Sequence, residues 1–449
     1  MNCPRIVMVG AGSHFTLGLF GDLLRVGDLW GSELILMDID EEKLRIMERI
    51  LRRFIEEEGI DVRMAATTSL DEALENAEFV ITSIRYGGLE ALEAFINIPL
   101  KLGAVEVVGD TVGPSGVLKG ILEIPAILNI AQKVEDESPK AILMNFTNPM
   151  TPVCRAVRKS TKVRIVGLCH GCHHIRALAS KLLGLRIDEV EMEGAGINHL
   201  TWTTDITHKG ESVYEDFLES LLMEDKERVL REHPYLIGRD LYRVFGVPPT
   251  LSDRHTSEFF HYLYDWMRNP IYGPILREKS GYIDYEKMAL SGDVVRREEE
   301  REKKLLLMAE GRGEVTIHPS REYALDIASA ITHKRRLEVM ALNIENQKAI
   351  DGIEPSHIVE APAVIEGGSI KPAGRFKLPE SVVSILNQHL EKFEVMVEGI
   401  LEGDKNLLTQ AVALDPLTPS PDKAEKILNN FIENPVIKGL LSNYNLHLT

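Results

Sequence analysis

Over its first 170 residues the chain alternates short, β-branched apolar runs with helical patterns, and that alternation leaves few folds open. The runs at 6–10 (IVMVG), 33–38 (ELILMD), 78–84 (EFVITSI), 140–145 (KAILMN) and 163–168 (VRIVGL) are apolar at nearly every position. A strand in a parallel sheet is covered on both faces and reads this way, whereas a half-exposed strand would alternate. Between the runs lie amphipathic stretches such as 41–58 and 117–134. Strand, helix, strand in repetition predicts a Rossmann-like doubly wound α/β sheet at the N-terminus.

After Leu185 the texture changes. Residues 189–208 alternate like antiparallel strands and precede long helical segments reaching about Asp326. A second alternating region at 339–365 leads into helices that run to the C-terminus. This half reads as an interlocked α+β catalytic domain over the carboxyl edge of the sheet, where open α/β folds bind ligands. The expected division is 1–188 for nucleotide binding and 189–449 for substrate and metal.

The formal net charge of −18, with no basic stripe to offset it, disfavours nucleic acid. The chain contains no apolar run of membrane-spanning length. The opening MNCPRIVMVGAG passes straight into a strand, which leaves no room for a secretory signal. Four cysteines do not suggest a disulfide framework, so a cytoplasmic setting is expected. The mixed-sign run at 294–304 (VVRREEEREKK) reads as a solvated helix face laced with i,i+4 pairs.

Gly10-Ala11-Gly12-Ser13 directly follows the first strand and opens a helix. Glycines there let backbone approach a pyrophosphate, whose charge meets the exposed N–H groups of the helix start. The third position of a G-x-G-x-x-G fingerprint is Phe15, so the match is partial. Asp38 ends the second strand, where a carboxylate accepts ribose hydroxyls and repels a 2′-phosphate, favouring NAD over NADP.

Cys169 follows the fifth run and His199 lies in the first strand pair of the second half, so two strand ends could share one open metal site. Asp110 lies in the loop GDTVGPSG, where it could equally be an N-cap. Asn148 follows the 140–145 run. Asp253 and Arg254 lie in PPTLSDRH, and Asp110 with Asp253 offers an acid/base pair. These residues taken alone indicate an NAD-binding enzyme and go no further.

Taken together the motifs resemble the family 4 glycoside hydrolases, NAD-dependent exceptions among glycosidases. VGAGSHFTLG, MDID, SIRYGG, GDTVGPSG, TNPM, GLCHG, GINHLTW and the late NIENQKAIDG and VEAPA segments follow in the family's order over nearly the whole chain. The resemblance makes Cys169 and His199 ligands of a divalent metal, usually manganese, and Asn148 a contact to sugar hydroxyls. Asp110 becomes the acid that assists leaving-group departure. Asp253 falls where many members carry a tyrosine base and others an aspartate. Arg85, in SIRYGG, joins Gly10, Gly12, Ser13 and Asp38 as cofactor-binding. The implied reaction oxidises C3 of the sugar with NAD, removes the C2 proton, eliminates at C1 and returns the hydride, with no net redox change. A homodimer or homotetramer acting on a small glycoside is implied too.

GDTVGPSG with Asp253-Arg254-His255 looks most like the α-galacturonidase branch. Residues 85–93 offer no second arginine and add two carboxylates, a poor setting for a phosphate dianion. A uronate needs a local cation, for which Arg254 is the first candidate and Arg321 the second. A neutral or 6-phospho-glycoside is the alternative within the family. Outside it stand a net hydroxy-acid dehydrogenase, which would accumulate NADH, and a non-catalytic sugar or nucleotide sensor.

Overall fold

The computed structural model describes residues 3–280, 283–315 and 317–444, with Leu446 and Leu448. Strands β1 (Arg5–Val9), β2 (Glu33–Met37), β3 (Arg63–Thr67), β4 (Phe79–Thr82), β5 (Ile142–Asn145) and β6 (Arg164–Gly167) pair in parallel in the order 3-2-1-4-5-6. That is the order of a doubly wound dinucleotide-binding sheet. Side chains alternate between two cores, as the pleat requires. Val7, Ile35, Val80 and Leu143 enter one; Met8, Leu36, Ile81 and Met144 enter the other. β3 was not anticipated. Its sequence, RMAAT, has no β-branched apolar run because it lies at the sheet edge and is only partly covered.

The remaining strands do not form a second sheet beside the first. They are β7 (Val190–Ile197), β8 (Leu200–His208), β9 (Glu211–Ser212), a small separate hairpin of β10 (Ile283–Asp284) with β11 (Ala289–Leu290), then β12 (Leu337–Glu345), β13 (Ile358–Glu366) and β14 (Ser369–Pro372). The sheet continues from β6 into β12, β13, β7, β8 and β9, all antiparallel, with β14 on β13. One row of paired residues therefore crosses it: Thr67, Met37, Val9, Thr82, Asn145, Gly167, Asn343, Glu360, Gly196 and Thr201. On the six parallel strands this row marks the carboxyl ends.

The helix Glu41–Glu58 spans the stretch its periodicity predicts. Asp40 caps it by accepting from the N–H groups of Glu42 and Lys43, both at 3.1 Å, and Gly59 ends it at φ +65°. The 117–134 pattern belongs to a longer helix, Gly113–Glu137, which is buried on most of its surface rather than on one stripe. Between β9 and residue 290, long helices were expected. The described residues instead hold six helices of five to ten residues, from Tyr214–Leu222 to Tyr272–Ser280. Gly246 closes one, and the Pro and Gly around 246–249 break the run. The first 18-residue helix of this half is Gly292–Ala309. It carries the mixed-charge run, and its exposure is not uniform. Glu302 reaches Lys43 at 2.7 Å and Glu298 reaches Arg85 at 3.5 Å, so part of this helix covers a cleft. The last helix is Pro435–Ser442; Asn445, His447 and Thr449 lie outside the described residues. No described helix is long and apolar enough to cross a membrane.

The segment 318–322 is fastened to the first helix, Phe15–Val26. A Cβ at Gly21 would lie 2.7 Å from Pro319 N and 2.8 Å from the His318 carbonyl, so backbone packs directly on backbone there. Fully buried Asp22 accepts from the Arg321 N–H at 2.9 Å and from the Ser320 hydroxyl, while Ser320 N donates to Gly18 O at 3.1 Å. Gly21→Ala has no flexible neighbour to displace. It should lower unfolding stability by about 1–3 kcal/mol, the range for overpacking, as read from the urea midpoint.

Candidate active site

The loops leaving the carboxyl ends of the parallel strands build one cleft of about 1470 Å³. Gly10 leaves β1 at φ +88°, with room for a Cβ only 2.3 Å from Ser83 O, so no larger residue fits between β1 and β4. The Gly10 and Ala11 N–H groups donate to Met37 O at 2.9 and 3.0 Å. Gly12 N donates to Asp38 Oδ2 at 2.8 Å, and Asp40 N to Asp38 Oδ1 at 2.9 Å. The loop and the acid that ends β2 are thus held in register, and each carboxylate oxygen keeps a lone pair for a further donor. No acid occupies the first turn of Phe15–Val26, so that helix start favours an anion. Gly10, Gly12, Ser13, Asp38 and Arg85 all line the cleft, with Asp110 and Asn148 on its other side.

Asp110 is not a helix cap: Val112 precedes Gly113–Glu137 and fills that position. Its loop is held from behind by Glu258, whose Oε1 accepts from the N–H groups of Val107, Val108 and Gly109 at 2.7, 2.7 and 3.0 Å. Thr111 Oγ1 donates to Asp110 Oδ1 at 2.8 Å and lies 2.9 Å from His199 Nδ1. Burial alone would raise the Asp110 carboxyl, but His199, Lys119 and His255 outweigh it and hold it down to about 2. An ionised Asp110 only accepts, so the single hydroxyl proton of Thr111 points to it. The hydroxyl then accepts from His199, which places an imidazole proton on Nδ1. Burial holds His199 below its usual range, against the pull of Asp110.

His199 and Asn198 are the two turn residues between β7 and β8, not part of either strand, and His199 takes φ +68°. A non-glycine residue in that region is strained and persists where the surroundings impose it. The imposing group is buried Glu360 on β13. It accepts from Asn198 Nδ2 at 3.0 Å, Thr201 Oγ1 at 2.8 Å and Asn343 Nδ2 at 2.8 Å. Asn198 in turn neighbours the thiol of Cys169, which follows β6. The turn of one hairpin is thereby brought near the end of a parallel strand.

Burial, and next Glu360, push the Cys169 thiol well above its ordinary value. A divalent cation reverses that preference by binding the thiolate. No group of three or more His, Cys, Asp or Glu able to hold a metal occurs among the described residues. One imidazole and one sulfur fit an open site, not a closed structural one. Three buried side-chain oxygens without hydrogen-bond partners add acceptors: Asn148 Oδ1, Asn198 Oδ1 and Glu322 Oε2.

Of the remaining expected residues, Arg321 lines a small pocket with Cys169, His170, His173, Glu322 and Tyr323. Asp253 and Arg254 open a five-residue helix. Both Asp253 oxygens accept backbone N–H groups, from Leu236 at 2.7 Å and Gly238 at 3.0 Å, so the carboxyl closes the start of Leu236–Phe245. Burial raises it to about 7 despite those bonds. Two residues on, His255 stands edge-to-face to His199, ring centres 4.9 Å apart. Arg254 acts electrostatically on His255 and Tyr285. Sequence reasoning missed Thr111, Glu258, Glu322 and Glu360. VEAPA marked Glu360's segment without its role; the others carried no signal beyond being polar.

A model of the family 4 glycosyl hydrolases matches residues 5–185, and that family's C-terminal domain matches 194–418. An α-galactosidase of Rhizobium meliloti (strain 1021) is 32% identical over 92% of this chain and 84% of its own. An α-galacturonidase of Lachnoclostridium phytofermentans is 27% identical over 96% of this chain and 95% of its own. The solved structure of a 6-phospho-α-glucosidase from gut microorganisms, in complex with NAD and Mn²⁺, superposes with a TM-score of 0.78 at 20% identity over the full length of both chains. The chain with the Asp110–Thr111–His199 relay in this cleft belongs to family 4 of the glycosyl hydrolases.

Proposed function

We propose that this glycosidase depends on NAD and a divalent metal, and cleaves a non-phosphorylated uronide, an α-galacturonide, by oxidation at C3 and elimination across C2–C1. The observation that carries this reading is the Asp110–Thr111–His199 relay, which ties the turn carrying His199 to an acid lining the same cleft as the nucleotide loop. NAD supplies a reversible hydride acceptor, and the cation a Lewis acid beside the oxidised carbon.

The chain's own residues set the rest. The start of the Phe15–Val26 helix receives the pyrophosphate, and Asp38 the adenosine ribose. Arg85 is the nearest guanidinium of this set and is drawn toward Glu298 until a phosphate competes for it. Cys169 and His199 hold the cation, and Asn148 Oδ1 accepts a sugar hydroxyl. Asp110, held ionised by its neighbours, is an acidic residue of the cleft. Asp253 is buried and caps Leu236–Phe245 with both oxygens, which counts against the base role expected of it. None of the four cysteines is in a disulfide, and a cytoplasmic setting is part of this reading.

For the uronate, the pocket shared with Cys169 favours Arg321, the second candidate of the sequence reading, over Arg254. A named α-galacturonidase among the relatives supports the substrate, as does the carboxylate of Glu322, which would repel a phosphate dianion. Two outcomes are expected. Thr111→Val removes the hydroxyl that orients His199 and should weaken Mn²⁺ binding by about 10–100-fold, the cost of losing a partner behind a metal ligand, with NAD affinity unchanged. Arg321→Ala should raise KM for a galacturonide over that for the matching galactoside by about 2–4 kcal/mol. A wild-type preference for 6-phospho-glycosides over every uronide in a chromogenic panel would overturn the substrate.

A further inference from the structure

The structure assigns Glu322 as a specificity-determining residue that accepts a hydroxyl of the sugar bound at the Cys169–His199 site. The proposal deepens the reading above, since it needs a glycone at that site.

Glu322 is only 7% exposed, yet its Oε2 has no hydrogen-bond partner. Oε1 is engaged, 3.2 Å from Nδ1 of exposed His170. A buried carboxylate oxygen left without a donor is costly, and native proteins pair such a group with a ligand or an ordered water. The pocket it lines also holds Cys169 and Arg321.

The chain invests in placing this side chain. Asp22 and Gly18 clamp Ser320 and Arg321 onto the nucleotide-binding helix, and Ser320 Oγ accepts from the Glu322 N–H at 3.1 Å. Arg321 takes φ +61°, a strained conformation for arginine, and the turn it makes separates the clamped residues from Glu322. The Glu322 corner is thus tied to the nucleotide-binding helix. Its unpaired oxygen selects a hydroxyl donor and penalises a ligand that lacks that hydroxyl, because the oxygen is then left unpaired. The ligand class is a glycone with a free hydroxyl at this corner.

The test uses full-length protein with NAD and Mn²⁺, and calorimetric titration of D-galacturonate, D-galactose and their 4-deoxy derivatives, with 6-deoxy-galactose as a further probe. Glu322→Gln should weaken binding of the parent sugars by roughly 10–100-fold, the range for one charge-assisted hydrogen bond. For the deoxy sugar that lacks the recognised hydroxyl, wild type and variant should bind alike. NAD titration of the variant reports whether its fold is intact, and Glu322→Asp, which shortens the reach but keeps the charge, should show the same selective loss. Parent binding as tight in Glu322→Gln as in wild type overturns the assignment, and so does a loss that no deoxy sugar abolishes. If the selective loss appears while no uronide is hydrolysed, the substrate reading fails and Glu322 stands.

Discussion

Glu360 is the group on which the arrangement depends. It is a carboxylate buried in the middle of a sheet, and it is tolerable there because three side-chain donors, from the β7–β8 turn, β8 and β12, converge on it. Those bonds align the antiparallel strands with the carboxyl ends of the parallel ones, so that one row of paired residues runs through both. Part of the site follows one or two residues beyond that row. Gly10 follows Val9, Asp38 follows Met37, Cys169 lies two past Gly167, and the Asn198–His199 turn lies two past Gly196. A slip of one residue between β13 and β7 would turn Gly196 to the other face and take the imidazole out of the cleft.

Burial does the remaining work by choosing protonation states. Burial holds His199 below its usual range while Asp110 pulls the other way, and Asp110 in turn is held low by His199, Lys119 and His255 against its own enclosure. Thr111 then has only one way to share its proton, which places one on the imidazole Nδ1. The Cys169 thiol is the opposite case. It is pushed toward the protonated form, so cation binding and proton release are linked there.

The parallel sheet was legible because strands covered on both faces need unbroken apolar runs, and 6–10, 33–38 and 140–145 have them. β3 was not legible, since an edge strand such as RMAAT has no such requirement. Helix 41–58 could be read with both ends because its cap and stop are local chemistry. The short helices after β9 could not, for their boundaries depend on what they pack against. Cys169 and His199 were found through GLCHG and GINH, although only the structure shows that the imidazole sits on a strained turn. Asp253 was expected as a base, whereas its carboxyl caps Leu236–Phe245; those bonds to Leu236 and Gly238 are tertiary and leave no trace in sequence. Glu258, Glu322 and Glu360 are three acids among 69, and only burial distinguishes them.

The central claim is that the glycosidic bond is broken by elimination after deprotonation at C2, with hydride held by the nucleotide and returned. Hydrolysis of an α-galacturonide in D₂O, followed by NMR of the released sugar, tests this most directly. The account predicts deuterium at C2 and hydrogen retained at C3, with NAD required but not consumed. Product carrying hydrogen at C2 throughout, formed at full rate by enzyme stripped of NAD, would contradict it.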